Sequence, residues 1–298
     1  MIKLKTFGSF TVGNGLTSVQ EGAWRSEKLE KLFVYLAMNR NRGVCIEDIS
    51  EAIWQVEEET DNPVGALKNL AYRLRKALRD ASFDEECIVS VRGGLYKWND
   101  DVEVTIDVEE FDRYINEAEM AFCRSKETAI ESYEKAIALY HGDFLPLRTD
   151  THWFMTLNAF YHSRYVNTVK ALAKLYIDTG CYEKLEQLCT RAIVYERSDE
   201  QIYSYLIVAR MRTKKVQMAF DTYETAKAIM DNDLGVRKTV MLNKVYEELL
   251  SVTKGVSSYN IDEVKDDISE ESMNGVFMCG YPVFKEIYHL EVRKSARS

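Results

Sequence analysis

The sequence predicts a mainly α protein: an N-terminal winged helix-turn-helix with a small β-sheet and a wing hairpin, followed by an all-α domain of tetratricopeptide-like helical repeats. Three observations predict it. The first hundred residues order as strand pair, helix, helix, basic helix and glycine-turned hairpin. Downstream, a helical pattern of small and aromatic residues recurs at matched offsets. Positive charge is concentrated on one helix of a chain whose net charge is -9.

The sheet is read from IKLKTF and SFTV, two β-rich runs separated by Gly8 and followed by a Gly13, Asn14, Gly15 turn. A first helix follows in SEKLEKLFVYLAMNR, with Ser26 as N-cap and Leu29, Leu32, Phe33, Leu36 and Ala37 on one buried face. Arg42 and Gly43 break it. IEDISEAIWQ then gives a short second helix with Ile46, Ile49, Ile53 and Trp54 facing inward.

The third helix spans residues 61–80. The acidic turn EEETDNP leads into it, Asp61 or Asn62 supplies the cap, and Pro63 sits in the first turn, where proline is tolerated. At 100° per residue, Leu67, Leu70, Ala71, Leu74 and Leu78 fall within an arc of about 100°, the width of a core-facing stripe. Lys68, Asn69, Tyr72, Arg75, Lys76 and Arg79 lie on the opposite arc, with Arg73 at its edge. From Lys68 to Asp80 the stretch KNLAYRLRKALRD carries five basic side chains and no acid before its last residue.

CIVSVRGGLYKW, residues 87–98, reads as a β-hairpin turning at Arg92, Gly93 and Gly94, where glycine supplies the positive φ of a tight turn. Three helices and a hairpin make a winged helix-turn-helix, in which the third helix enters the major groove and the wing lies beside it. A basic face on a surface helix is commonly just solvated. The order of elements around this one, and Arg92 on the adjacent wing, give it weight as a DNA-binding face.

In the segment opening VTIDVEEFDRYINEAE, Asp107 is a candidate cap, and Phe111 and Tyr114 start an apolar face. Ala129, Tyr133 and Ala136 then recur as Ala219, Tyr223 and Ala226, and more weakly as Leu185, Cys189 and Ala192. The last two copies are offset by 34 residues, the tetratricopeptide period. Such helix pairs stack to bury their apolar faces and leave a concave surface suited to a protein or peptide ligand. YHGDFLP, residues 140–146, interrupts the pattern as a loop, and Trp153 with Phe154 begins a long helix. The domains predicted are 1–100 and 101–252, followed by an acidic flexible linker, 253–274, and a strand-helix tail, 275–298. In that tail Phe284, Ile287, Tyr288 and Val292 are amphipathic, and the segment is expected either to dock on the preceding helices or to open a further, truncated domain.

Composition narrows the function classes. Residues 1–98 hold 14 basic and 14 acidic side chains, whereas residues 99–298 hold 25 and 34, so the acidity lies downstream and DNA contact must work through a local patch. No run approaches the roughly 20 apolar residues that span a bilayer, and MIKLKTFGSF is not a signal-peptide core, so no membrane partner and a cytoplasmic location are expected. Cys45, Cys87, Cys123, Cys181, Cys189 and Cys279 are scattered, without close C-x-x-C spacing, so no metal and no other cofactor is expected. Phosphate-binding, dinucleotide, nucleophile-elbow and zincin motifs are missing. His141, His152 and His162 read as packed or exposed, with no catalytic residue among them, and Glu57, Glu58 and Glu59 as a solvated turn.

FGSFTV, WRSEKLEKLFVYLAMNRNRGV, IWQ, NPVGALKNLAYRLRKAL and GGLYKW, in that order, resemble the winged-helix domain of response-regulator-type transcription factors. IDVEEFDRYINEAE, YHGDFLPL, Trp153 and LGVRKTVMLNKVYEELL resemble the bacterial transcriptional activation domain. Together, over residues 1–250, they resemble the SARP-type regulators, the Streptomyces antibiotic regulatory proteins. The resemblance implies an activator that binds double-stranded promoter DNA, contacts RNA polymerase, and works as a homodimer on directly repeated half-sites. It assigns base readout to Asn69, Tyr72 and Arg73, phosphate contacts to Arg75, Lys76 and Arg79, Lys68 to the same DNA face, and the wing contact to Arg92. With no receiver domain ahead of Met1, control is expected from the helical repeats, the tail or expression level, not from aspartyl phosphorylation. The alternative from another class is an interaction scaffold whose winged domain binds protein.

Overall fold

The computed structural model describes residues 1–54, 62–83, 87–91, 94–148, 150–233 and 239–256. The predicted linker and tail beyond Val256, the acidic turn with Glu57 to Glu59, and Arg92 with Gly93 lie outside the described residues. Met1–Leu249 forms one compact unit.

The sheet is larger than the sequence predicts. Strands β1 (Ile2–Lys5), β2 (Thr11–Gly13) and β3 (Ser18–Gln20) form an antiparallel meander, and β6 (Val104–Ile106) adds to β1 in parallel, giving the order β3-β2-β1-β6. β3 and β6 are three residues each, too short for an alternation pattern to show. After β3, α1 (Glu27–Met38), α2 (Ile46–Ile53) and α3 (Pro63–Asp80) pack on one another, and the wing is the hairpin β4 (Ile88–Val91) and β5 (Leu95–Trp98). Val44 and Tyr96 exchange backbone hydrogen bonds of 2.7 and 2.9 Å, so the α1–α2 connection adds a bridge to the wing.

Helix α1 departs from its expected one-sided burial. Ser26 is the N-cap, but its side chain makes no capping bond; its carbonyl accepts from Leu29 N–H at 3.1 Å. Every residue from Leu29 to Ala37 is buried, including Glu30 at 1% and Lys31 at 2% exposure. The cause is the second domain, which covers the face that the sequence leaves to solvent. Arg148, in the short 3-10 turn Pro146–Arg148, donates to Glu30 Oε2 at 2.5 Å and lies 3.3 Å from Glu21 and 3.5 Å from Glu27. Lys31 pairs with Asp150, and the Thr151 hydroxyl donates to the Ala52 carbonyl at 2.8 Å.

The second domain stacks α4 (Asp107–Ala121) on α5 (Lys126–Leu139), α6 (His152–Thr179) on α7 (Tyr182–Tyr195), and α8 (Glu200–Arg212) on α9 (Val216–Asp233), with α10 (Val240–Val256) following. The repeat is visible in the packing. Ala129, Tyr133 and Ala136 on α5, Leu185, Cys189 and Ala192 on α7, and Ala219, Tyr223 and Ala226 on α9 are all buried, none more than 6% exposed. Small side chains let the helices approach, and the aromatic fills the gap beside them. Helix α10 continues past residue 253, the predicted start of the linker.

Asp107 opens α4, yet its carboxylate serves the sheet more than the helix. It accepts from Thr6 N–H at 2.7 Å, Phe7 N–H at 2.9 Å and the Thr6 hydroxyl at 2.6 Å, with a bond to Val108 N–H at 3.0 Å as the only one within its own helix. Burial pushes its pKa up while these four bonds oppose the shift. The 140–146 loop is likewise sewn to the first domain: Gly8 N–H donates to the Asp143 carbonyl and Leu145 N–H to the Thr6 carbonyl, each at 2.9 Å. Gly8 has φ +82°, and a Cβ there would stand 2.6 Å from the His141 carbonyl oxygen, so only glycine permits the approach.

His162 ties the same loop to the repeats, with Nδ1 2.8 Å from Asp143 and Nε2 3.1 Å from Glu196. The hydrogen bond to Asp143, then that to Glu196, raises its pKa to about 9 against the opposing effect of burial, while the Asp143 carboxyl is held low by the same contact. A pKa raised above the unfolded value of about 6.5 means that this stabilisation is complete below pH ~6.5 and is lost as pH rises through about 9. Urea midpoints should therefore fall from pH 6.5 to 9.5 in the native chain, and His162→Gln should flatten that part of the profile. Arg148→Met, which strands a buried carboxylate, should lower stability by roughly 3–5 kcal/mol, and adding Glu30→Leu should restore much of the loss in the same measurement.

Candidate nucleic-acid interface

Helix α3 is fixed at both ends and along one side. Asn62, one of the two candidate caps, accepts from Gly65 N–H at 2.9 Å, and Pro63 opens the first turn. Leu67, Leu74 and Leu78 are fully buried, with Ala71 at 1% and Leu70 at 5% exposure, as the stripe predicts. At the far end the β2–β3 turn holds the chain: Asn14 Nδ2 donates to the Ser82 carbonyl at 2.9 Å, and the Thr17 hydroxyl to the Ala81 carbonyl at 3.0 Å. The sequence gives these two turn residues no such role, because the contact joins positions 64 and 68 residues apart.

Lys68, Asn69, Tyr72, Arg73, Lys76 and Arg79 are exposed on one side of this helix. Tyr72 is 67% exposed, more than an aromatic ring needs for packing alone. Arg75 is different. It is half-buried, and its Nε donates to the Ile88 carbonyl at 3.1 Å, so this arginine braces the first wing strand against the helix. A helical wheel carries the signal, since Arg75 lies about 40° from Ala71, nearer to the apolar stripe than any other basic residue of the set.

The wing stands beside α3 because of that brace and the Val44 bridge. Gly94 turns with φ +81°, and a Cβ at Gly43 would meet Leu95 Cδ1 at 3.2 Å, so the connection before α2 and the second wing strand approach closely. Lys97 on that strand pairs with Asp100 at 2.5 Å. Arg92, the predicted wing contact, falls outside the described residues.

Among the described residues no group of three or more His, Cys, Asp and Glu side chains could hold a metal ion, and no helix is long and apolar enough to cross a membrane. Cys45, Cys87, Cys123, Cys181 and Cys189 are free thiols. Cys45 has a local task that the sequence does not suggest, since its Sγ accepts from Asp48 N–H at 3.4 Å as the N-cap of α2. Burial alone pushes the Cys189 thiol pKa well up, which suits a packing residue and not a nucleophile.

A winged-helix domain with an exposed basic helix, joined to stacked helical repeats, defines a class of bacterial transcriptional regulator. The family described as "Transcriptional regulatory protein, C terminal" matches residues 21–98, and the "Bacterial transcriptional activator domain" matches residues 106–250. The transcriptional regulator RedD of Streptomyces coelicolor is 23% identical over 238 residues, covering 79% of this chain and 67% of that protein. The structure of Mycobacterium tuberculosis EmbR in complex with a low affinity phosphopeptide superposes with a TM-score of 0.64 at 19% identity, covering 92% of this chain and 72% of that one. The chain belongs to the SARP-type transcriptional regulators, which are not an enzyme family.

The geometry of α3 sets a test of its own. Asn62→Ala should cost about 1 kcal/mol of stability through loss of the cap. Arg75→Ala should, unlike Lys76→Ala, also lower the unfolding midpoint, because it removes the brace to Ile88; thermal melts of the three variants distinguish cap, brace and solvated charge.

Proposed function

We propose that this protein is a sequence-specific DNA-binding activator that inserts α3 into the major groove of promoter DNA, sets its wing on the adjacent backbone, and contacts RNA polymerase. The observation that carries the reading is the exposed side of α3. A chain of net charge -9 there presents Lys68, Arg73, Lys76 and Arg79 around an amide, Asn69, and an exposed ring, Tyr72. Asn69 suits bidentate reading of adenine, Arg73 of guanine, and Tyr72 apolar contact with a thymine methyl. Lys76 and Arg79 suit phosphates, with Arg75 reaching the backbone from beside the wing and Arg92 as the expected wing contact.

In this reading residues 1–100 bind DNA and residues 101–252 form the activation domain, with the protein acting in the cytoplasm. Two protomers occupy directly repeated half-sites. The stacked repeats offer a surface for a protein or peptide ligand. The downstream acidity opposes loose adhesion to DNA, so contact is confined to one face.

Selection of bound sequences from random duplexes should yield a direct repeat. With about five phosphate contacts per protomer, log affinity should fall with log salt at about -0.9 per contact. Lys76→Ala should weaken binding to every sequence alike and reduce the slope by about 0.9, whereas Asn69→Ala should change the preferred base at one position of each half-site. Equal loss on all sequences for both variants would reverse the division between base and phosphate contacts. Failure to retard any duplex at moderate salt would favour the interaction scaffold.

A further inference from the structure

We propose that the cleft between α2 and α6 binds a small organic cation: an amine or guanidinium joined to an aromatic or aliphatic body. The cleft has a volume of about 440 Å3 and is walled by both domains. That volume falls within the range of ligand sites, which occur preferentially where domains meet. It is separate from the DNA face of α3.

The floor is aromatic and apolar. Trp153, half-buried at the start of α6, packs edge-to-face on Tyr35 of α1 with centroids 4.8 Å apart and on Phe154 at 4.7 Å, so its ring is held on two sides. Leu157, one turn further along α6, continues the floor. A fixed indole face beside an apolar side chain receives the body of a ligand and attracts a cation set over it.

The wall opposite supplies the charge. Asp48 and Glu51 line the cleft from α2 and, three residues apart, lie on one side of that helix. Both are exposed, and neither is ion-paired among the described residues. Arg42, also on the wall, is held in place with Nε and Nη2 donating to Asn39 Oδ1 at 3.1 and 3.0 Å, and its single positive charge is outnumbered by the two carboxylates. His152 is the remaining basic group of the lining. Two unpaired carboxylates beside a fixed indole select a cation with an apolar body over an anion of the same shape. A ligand seated there touches α2 of the winged domain and α6 of the repeats together, so it stabilises their junction.

The test uses the full chain without DNA, so its outcome is independent of the DNA-binding reading. Tryptamine is titrated while the Trp153 indole N–H resonance, identified by its loss in Trp153→Leu, is followed by NMR, with indole-3-propionate as the anionic control. Saturable shifts with tryptamine, at least tenfold weaker binding in the Asp48→Asn, Glu51→Gln double variant, and no saturation by indole-3-propionate are expected. The two carboxylates are exposed, so the double variant keeps the proposal falsifiable even if Trp153→Leu unfolds. Absence of saturation by about 10 mM tryptamine, equal binding of the anion, or unchanged affinity in the double variant would overturn it.

Discussion

The buried pair of Glu30 and Arg148 is the interaction on which the arrangement of the two domains depends. Glu30 sits in the first turn of α1, the helix at the centre of the winged domain, and Arg148 sits in the connection that launches α6. An unpaired charge at either position would be expensive in that environment, so each domain satisfies the other. Glu30 uses its second oxygen to accept from Gly22 N–H at 2.8 Å, which also fixes the turn entering α1. Ion pairs of this kind add little net stability compared with apolar packing, but removing one partner leaves a buried charge uncompensated.

Around that pair the junction is built from backbone as well as side chains. The Asp107 carboxylate holds the end of β1, Arg40 makes a bidentate contact with Glu109 at 2.5 and 2.7 Å, and the loop after α5 hydrogen-bonds to the residues after β1. Beneath it an aromatic cluster joins the halves. Phe7 of the first domain lies against Phe111, Tyr140 and Tyr161 of the second, and Tyr140 stacks on Tyr165 with centroids 3.8 Å apart. The consequence is that the orientation of α3 and its basic face is set by the repeats: α3 packs on α1, and α1 is held by the second domain. Whatever engages the repeats acts on a body continuous with the basic face of α3.

The basic helix illustrates how charge and packing divide a surface. Its leucines hold one side to the core, the β2–β3 turn clamps its end, and Arg75 joins it to the wing, leaving the remaining basic groups outward. Arg75 and Lys76 are neighbours in sequence and alike in charge. One braces the wing while the other lies on the open side, because Arg75 is nearer the apolar stripe and within reach of the Ile88 carbonyl.

The sequence by itself determined the mainly α class, the order of the helices, the core stripe of α3, the wing strands and the repeat on α5, α7 and α9. Those features rest on local periodicity, caps and turn residues, which act over a few positions. It also singled out the face of α3 that faces solvent, because the leucine stripe leaves only one alternative arc. Only the tertiary structure decided that β6 completes the sheet, that Asp107 anchors β1, that Glu30 and Lys31 are buried, and that Arg75 braces the wing. Each of these joins residues far apart in the chain, and a charged side chain looks the same in sequence whether it meets water or a partner from another domain.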